Sequence, residues 1–134
     1  IIWSTFTWDF GEYGFSNKRA NLTEVVKLSV FPGNLILEGV QRTQTLVSVR
    51  EKMGRGRKLF ATADPPYDLH ELKLDAQQAM LVAYADGTKS VEDLLALVDL
   101  SEREVLATLW GLELLGMVEE RQEDGKQRRI SFGL

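Results

Sequence analysis

The sequence contains no cysteine, and only one of its 134 residues is histidine, His70. Without cysteine the chain cannot form a disulfide, a thiolate zinc site, an iron–sulfur cluster or a cysteine nucleophile. A single histidine also excludes a histidine-rich metal centre. No stretch approaches the roughly 18 uninterrupted apolar residues that a membrane-spanning helix requires. We therefore expect a cytoplasmic protein without cofactors, bound metals or membrane insertion.

The composition is typical of a globular protein. Hydrophobic residues make up 44% and charged residues 27% of the chain, which excludes a disordered or fibrous protein. The length fits one ordinary domain or two very small ones. Up to residue 70, nine basic and seven acidic residues give a net charge of +2, whereas seven basic and thirteen acidic residues give −6 from residue 71 onward. This change in charge coincides with a change in sequence pattern.

Aromatic residues are concentrated at the start of the chain. Six of the twelve lie within the first fifteen residues: Trp3, Phe6, Trp8, Phe10, Tyr13 and Phe15. At a frayed terminus they would leave a large apolar patch, so we expect a missing N-terminal half, another copy or the rest of this chain to cover them. Trp3, Trp8 and Phe10 are therefore candidates for partner contact. Because the chain begins with Ile1 and shows no leader pattern, we expect this start to be a cut end.

Residues 1–63 predict a short helix, a turn and a strand, followed by one long helix. The turn is expected at residues 9–11 and the strand in the stretch that follows it, up to about residue 17. Asn34 is the predicted N-cap of the long helix, which ends at residues 54–58. Its apolar stripe contains residues at spacings of three and four: Ile36, Val40, Thr43 and Val47.

Two residues of that stripe, Ile36 and Val40, are further candidates for partner contact. A short strand is expected over residues 59–63. Pro65 and Pro66 then predict an extended linker over residues 64–71, because neither proline can donate a backbone hydrogen bond.

From residue 72 onward, three helix starts carry the same signal. Asp75, Ser90 and Ser101 are each followed three positions later by a residue that can complete a capping box: Gln78, Asp93 and Glu104. Gly87 is expected to stop the first of these helices, and Gly116 to close the third. Residues 117–121 and 129–132 then predict two strands joined by a tight turn at Asp124 and Gly125.

Three helices followed by a hairpin predict a winged helix-turn-helix over residues 72–134. The expected fold is therefore α+β and mostly helical. A truncated strand–helix remnant with a long helical connector covers residues 1–63, a linker covers residues 64–71, and the winged helix follows.

A winged helix that binds DNA needs a basic face, because phosphate neutralisation supplies most of the affinity. The third helix, residues 101–113, offers outward only Arg103 as a cation, and Glu102 and Glu104 flank it. The predicted wing is basic, so the candidate contacts to nucleic acid are Arg103, Lys126, Arg128 and Arg129. The acidic helix favours protein contacts over DNA.

Trp110 lies next to small residues of the same helix: Ala107, Thr108 and Gly111. Such a flat face beside a tryptophan suits a helix–helix contact, so Trp110 and Thr108 are candidates for a partner interface. The loop over residues 54–58 supplies a second candidate surface. Its Arg55, Arg57 and Lys58 could bind an anion or nucleic acid. The favoured interpretation is a solvated basic helix C-terminus, where positive charge complements the helix dipole.

Catalysis is not predicted. Residues 86–90 contain the letters that end a phosphate loop, but the upstream glycine is missing. His70 follows the two prolines without a serine nucleophile motif, and Asp64 and Asp68 lie in the same linker region, which is poor ground for a preorganised acid–base pair.

Several segments resemble the PATAN domain, the PatA N-terminal domain of bacterial two-component proteins. Residues 8–15, Trp-Asp-Phe-Gly-Glu-Tyr-Gly-Phe, resemble its W-x-x-G-x-F-x-F tail. Residues 34–42 resemble its following helix, with Gly39 and Gln41 in place of the usual alanine and first arginine. Residues 86–94 and 114–118 resemble the Asp-Gly turn and the entry into the wing of the winged helix that often follows.

The resemblance implies that the N-terminal half of the PATAN domain is missing upstream of Ile1. It also implies a role in bacterial signalling and surface motility through protein contacts, without enzymatic chemistry. Our hypothesis is a non-enzymatic regulatory module that binds proteins and forms homo-oligomers. The alternatives are a transcription regulator that binds DNA through the third helix and the wing, and a purely structural dimerisation module.

Overall fold

The computed structural model describes residues 2–7, 10–12, 14–18 and 31–121. Within this part of the chain the fold is α+β, as predicted. Its helices are α1 (Pro32–Thr43), α2 (Leu46–Met53), α3 (Ala76–Tyr84), α4 (Val91–Leu97) and α5 (Glu102–Leu114), and its strands are β1 (Lys58–Ala61), β2 (Asp86–Ser90) and β3 (Val118–Glu120). Two 3-10 helices, Ile2–Thr7 and Leu69–Glu71, complete the described elements.

The three predicted capping boxes are confirmed. Asp75, Ser90 and Ser101 each accept a hydrogen bond from the backbone amide three residues later, and the side chain of that residue accepts from the cap amide in return. These caps satisfy amides that the first helical turn leaves without partners. Gly116 follows α5 with φ +73°, a conformation that favours glycine, and so ends the helix as predicted.

The single long helix predicted before residue 54 is wrong, because the chain forms α1 and α2 with a break at Gln44 and Thr45. Both residues are extended, and the Thr45 hydroxyl caps α2 by accepting from the Ser48 amide at 3.2 Å. Val47, which belongs to the apolar stripe of the predicted helix, is 65% exposed. Because the apolar spacing continues across the break, periodicity alone did not reveal it.

Asn34 is not the N-cap of α1, which begins one turn earlier with Phe31 as the cap and Pro32 as the first helical residue. Proline suits that position because its missing amide would have no partner there. The Asn34 side chain instead donates to the Glu71 carbonyl at 2.9 Å and accepts from the Lys73 amide at 2.7 Å. It therefore fastens α1 to the segment that precedes α3.

Two strand assignments also need correction. Residues 86–90, predicted as a stop and a cap between two helices, form β2, in which Gly87 has φ +80°. Conversely, the strand predicted after the turn at residues 9–11 is absent from the described residues 10–12 and 14–18. The polar sequence of β2 carries no strand signal of its own, so its conformation depends on pairing with β1.

The sheet has the order β2–β1–β3 with antiparallel pairing throughout. Lys58 lies opposite Ser90, and Leu59 lies opposite Glu120. The central strand thus comes from before the predicted linker and both outer strands from after it, so the two predicted parts share one sheet. The other half of the predicted wing, residues 129–132 with the turn at Asp124 and Gly125, lies outside the described residues.

The core is built around α5. Val105, Leu109 and Leu112, predicted as its inward stripe, have no exposed surface. They belong to one cluster of buried side chains with members from the other helices and the sheet: Val40, Val49, Met53, Leu59, Leu81, Leu94 and Val118.

The helix Ile2–Thr7 packs on α1 through two aromatic side chains. The Phe6 ring lies against the backbone of Gly39, where a Cβ atom would overlap the ring. The Arg42 guanidinium lies 4.6 Å from the centroid of the Trp3 ring, a cation–π contact. Part of the N-terminal aromatic cluster is therefore covered by this chain itself, one of the three alternatives expected.

We predict that Gly39→Ala has two opposing effects on the free energy of unfolding. Alanine stabilises a helix interior by about 1 kcal/mol relative to glycine, but here its methyl group displaces Phe6. In a Phe6→Ala background, Gly39→Ala should raise the free energy of unfolding by about 0.5–1 kcal/mol. In the unchanged chain the gain should be smaller or reversed. Urea unfolding of the four chains measures this coupling, and equal effects in both backgrounds would show that Phe6 does not pack on Gly39.

Candidate functional site

The face of α5 that we predicted to be outward is covered by α1. Ala107 and Thr108 are 1% exposed, and Gly111 is buried beneath Leu37, whose Cδ2 lies 2.9 Å from where a Cβ would be. The small residues beside Trp110 do form a helix–helix contact, but α1 of the same chain supplies the second helix. The predicted recognition face is thus part of the core.

The Thr108 hydroxyl joins three helices. It accepts from the side-chain amide of Gln41 on α1 at 2.8 Å and from that of Gln78 on α3 at 3.2 Å. Gln41 also donates to the Glu104 carbonyl at 3.3 Å. Because a buried hydroxyl must be hydrogen-bonded, this arrangement fixes how α1 and α3 sit on α5. Thr108 is therefore an internal residue rather than a surface for a partner.

Arg103, the predicted DNA contact of the third helix, binds the C-terminal end of α1. Its Nη1 donates to the carbonyls of Gln41 at 2.8 Å and Gln44 at 3.3 Å. A guanidinium in this position satisfies carbonyls that the end of a helix leaves unpaired. The side chain that would have to reach a base or phosphate is thus used to end α1 at the break before α2.

The two acidic neighbours of Arg103 also have partners within the chain. Glu102 accepts two hydrogen bonds from Arg50, at 2.7 and 2.8 Å, and these bonds lower the pKa of the Glu102 carboxyl. Glu104 accepts from the Ser101 amide and hydroxyl, both at 2.9 Å, and the backbone bond is the main reason that its pKa is lowered. The start of α5 is therefore electrostatically satisfied by α2 and by its own cap.

The basic loop, residues 54–58, faces acidic groups from the C-terminal part of the chain. Arg57 contacts Glu113 of α5 at 2.5 Å and Glu120 of β3 at 3.1 Å, and the hydrogen bonds that it donates to Glu113 are the largest cause of its raised pKa. The Gly56 amide donates to the two Glu92 oxygens at 3.2 and 3.3 Å. The loop therefore docks the N-terminal and C-terminal parts of the chain onto each other. Neither predicted role of the loop, an anion or nucleic-acid site or a solvated helix C-terminus, includes this contact.

The remaining cations of that loop differ in their surroundings. Arg55 is exposed, and no described residue forms an ion pair with it. Lys58 is half-buried in β1 and is already engaged in an interaction within the protein. Of the three candidates for an anion or nucleic-acid contact, Arg57 is thus committed internally and Arg55 faces solvent.

The candidates for a protein interface separate by exposure. Val40 is fully buried, and Ile36 is half-buried against the core. Trp110 is half-buried, with Lys52 Nζ 4.7 Å from its ring centroid. Trp3 packs on α1, whereas Phe10 is 93% exposed. Trp8 lies outside the described residues, as do the wing candidates Lys126, Arg128 and Arg129.

Phe15, another member of the N-terminal aromatic cluster, is 91% exposed. We name the Ile2–Thr7 helix, together with residues 10–12 and 14–18, the aromatic arm. Its inner end is attached to α1 by Phe6, and its outer end presents Phe10 and Phe15 to solvent. The sequence indicated this surface, because six aromatic residues within the first fifteen predict an apolar patch.

No protein-family model, curated protein or solved structure matches this chain. The resemblance to the PATAN family therefore stays a prediction. Among the helices described, none combines the length and the apolar character needed to cross a bilayer.

We predict that Thr108→Val destabilises the fold by about 1–2 kcal/mol although the two side chains have nearly the same shape, because two amide donors lose their acceptor. Thr43→Val is the matched control, since the Thr43 hydroxyl bonds only within α1 and to its neighbour Gln44. Chemical denaturation should give a clearly smaller loss for the control. Equal losses would show that the hydroxyl of Thr108 does not join the helices.

Acidification should destabilise the protein through Glu102 and Glu104. Both have folded-state pKa values below their ordinary value of 4.5, so their stabilising contribution is complete above that pH and is lost as the pH falls through the folded pKa. Glu104→Gln removes the titrating group but can still accept from the Ser101 amide. Between about pH 5 and pH 3 the variant should lose less stability than the parent chain, and parallel pH profiles would contradict this assignment.

Proposed function

We propose that this chain is a non-enzymatic, cytoplasmic signal-transduction module that acts by binding proteins, including a second copy of itself. The observation that carries this proposal is the outer end of the aromatic arm, where Phe10 and Phe15 are 93% and 91% exposed. Burying a phenylalanine side chain contributes about 1.5–3 kcal/mol, so a partner that covers both gains substantial affinity. Aromatic residues are also enriched where protein interfaces carry most of their binding energy.

The architecture supports protein binding over DNA binding. We propose that α3, β2, α4, α5 and β3 form a winged-helix-like unit whose third helix serves internal packing. The α5 residues that would read a DNA groove are covered by α1, and Arg103 is bound to carbonyls of that helix. A regulator that reads DNA through α5 would have to remove α1 from the core, which includes the fully buried Val40.

The resemblance to PATAN proteins supports the same proposal by a separate route, since that family is associated with signalling through protein contacts. Residues 10–12, 14 and 15 of the arm belong to the segment, residues 8–15, that resembles the family's aromatic tail. A purely structural dimerisation module would use the same surface but would have no regulated partner.

Sedimentation velocity of the whole chain tests the proposal. From about 10 µM to about 1 mM, a range that reveals association as weak as a millimolar Kd, the sedimentation coefficient should rise with concentration. Phe10→Ser combined with Phe15→Ser should abolish this rise. Val47→Ser is the control, because Val47 is an equally apolar residue that is 65% exposed on α2.

A parent chain that stays monomeric throughout would exclude a second copy as the partner. If the parent associates and Val47→Ser weakens association as much as the arm variant does, the association is general hydrophobic contact, and the arm is not the docking element.

A further inference from the structure

A surface pocket of about 430 Å³ lies where the end of α2, the start of α4 and the start of α5 meet. Its floor is apolar: Val91 and Leu106 are 2% and 4% exposed, and Leu95 is half-buried. Pockets that bind small organic molecules have volumes of about 300–1,000 Å³ and combine such a floor with a few polar groups. The size and lining of this pocket therefore suit a small molecule with an apolar body.

Four charged side chains form the rim, and three of them are already engaged. Arg50 and Glu102 form the two-bond pair described above, and both oxygens of Glu92 face the Gly56 amide. The fourth, Arg55, is exposed and forms no ion pair with any described residue, although its charge helps to lower the pKa of the nearby Glu102 carboxyl. Within the part of the chain that the structure describes, Arg55 donates no hydrogen bond, so its guanidinium can pair with an anion at this rim.

We propose that this pocket binds a small organic anion in which one carboxylate is attached to an apolar group. The carboxylate pairs with the Arg55 guanidinium, whose planar donors match it with two parallel hydrogen bonds. The apolar group covers Leu95 and Leu106. This inference stands independently of the proposed protein binding, because the pocket shares no residue with the aromatic arm.

The same charges argue against other ligands. Glu92 and Glu102 lie on the rim, so a chain of phosphates would meet two carboxylates beside the single available cation. An organic cation would compete with Arg50 and the Gly56 amide for carboxylates that are already paired. A ligand with a single negative charge on an apolar body brings less negative charge to this rim than a chain of phosphates does, and it can still pair with Arg55.

The test is an NMR titration of the isotopically labelled whole chain with 4-phenylbutyrate, and with the uncharged 4-phenylbutanamide in parallel. The acid should cause saturable shifts of backbone amides around the pocket, at Gly54, Gly56, Glu92 and Leu95. The amide should bind at least about fivefold more weakly, because it lacks the charge-assisted bond to Arg55.

Two variants with the same change in net charge locate the anion. Arg55→Glu should weaken binding of the acid about tenfold or more, because it removes the charge-assisted hydrogen bonds and introduces a carboxylate that repels the ligand. Lys73→Glu should leave the affinity within about twofold, because Lys73 is exposed beside Asn34 of α1 and does not line the pocket.

Three results would overturn the proposal: no saturable shift up to about 10 mM, a weak limit for any small ligand; shifts centred on another surface; or equal losses in both variants. The amide spectrum of each variant also reports whether it remains folded. Because the readout is local to the pocket, a negative result here is distinguishable from monomeric behaviour of the chain in sedimentation.

Discussion

Helix α5 packs against α1, α2, α3, α4 and β3, and the arrangement of these elements follows from this constraint. Its apolar stripe faces the core, while its small residues admit α1 at a distance that larger side chains would prevent. Close approach buries the Thr108 hydroxyl, which must then be satisfied by glutamines from α1 and α3. The same approach brings the α1 carbonyls to Arg103. Packing and polar satisfaction therefore determine one another along this helix.

Ion pairs between the N-terminal and C-terminal parts of the chain also help to fix the arrangement of the elements. Basic side chains from before residue 71 and acidic side chains from after it meet across the fold in two pairs, Arg50 with Glu102 and Arg57 with Glu113. The first pair is largely exposed and contributes little stability by itself. The pair at Arg57 is more deeply placed and also includes Glu120, so it fixes the direction in which β1 leaves the basic loop.

The features that depend on neighbouring residues could be predicted from the sequence. Capping boxes are complete within four residues, and Asp75, Ser90 and Ser101 begin helices as expected. Features set by distant residues could not. The break after α1 is held by Arg103, about sixty positions away, and the polar segment of β2 becomes a strand because β1 lies beside it. Among the candidate site residues, aromatic density located the exposed arm, but no local signal indicated that Arg57 would be enclosed by acids from α5 and β3.

The position of β1 at the centre of the sheet has a consequence for any shortened form of the protein. A chain that begins at residue 72 keeps α3, α4 and α5 with their capping boxes, yet it loses the strand that joins β2 to β3. Both strands would then present unpaired backbone groups along the edges that β1 normally fills, and such edges recruit extended segments from other molecules. The helical part that looks self-contained in the sequence would thus be prone to aggregation, and it would also lose α1 and α2, which pack on α5.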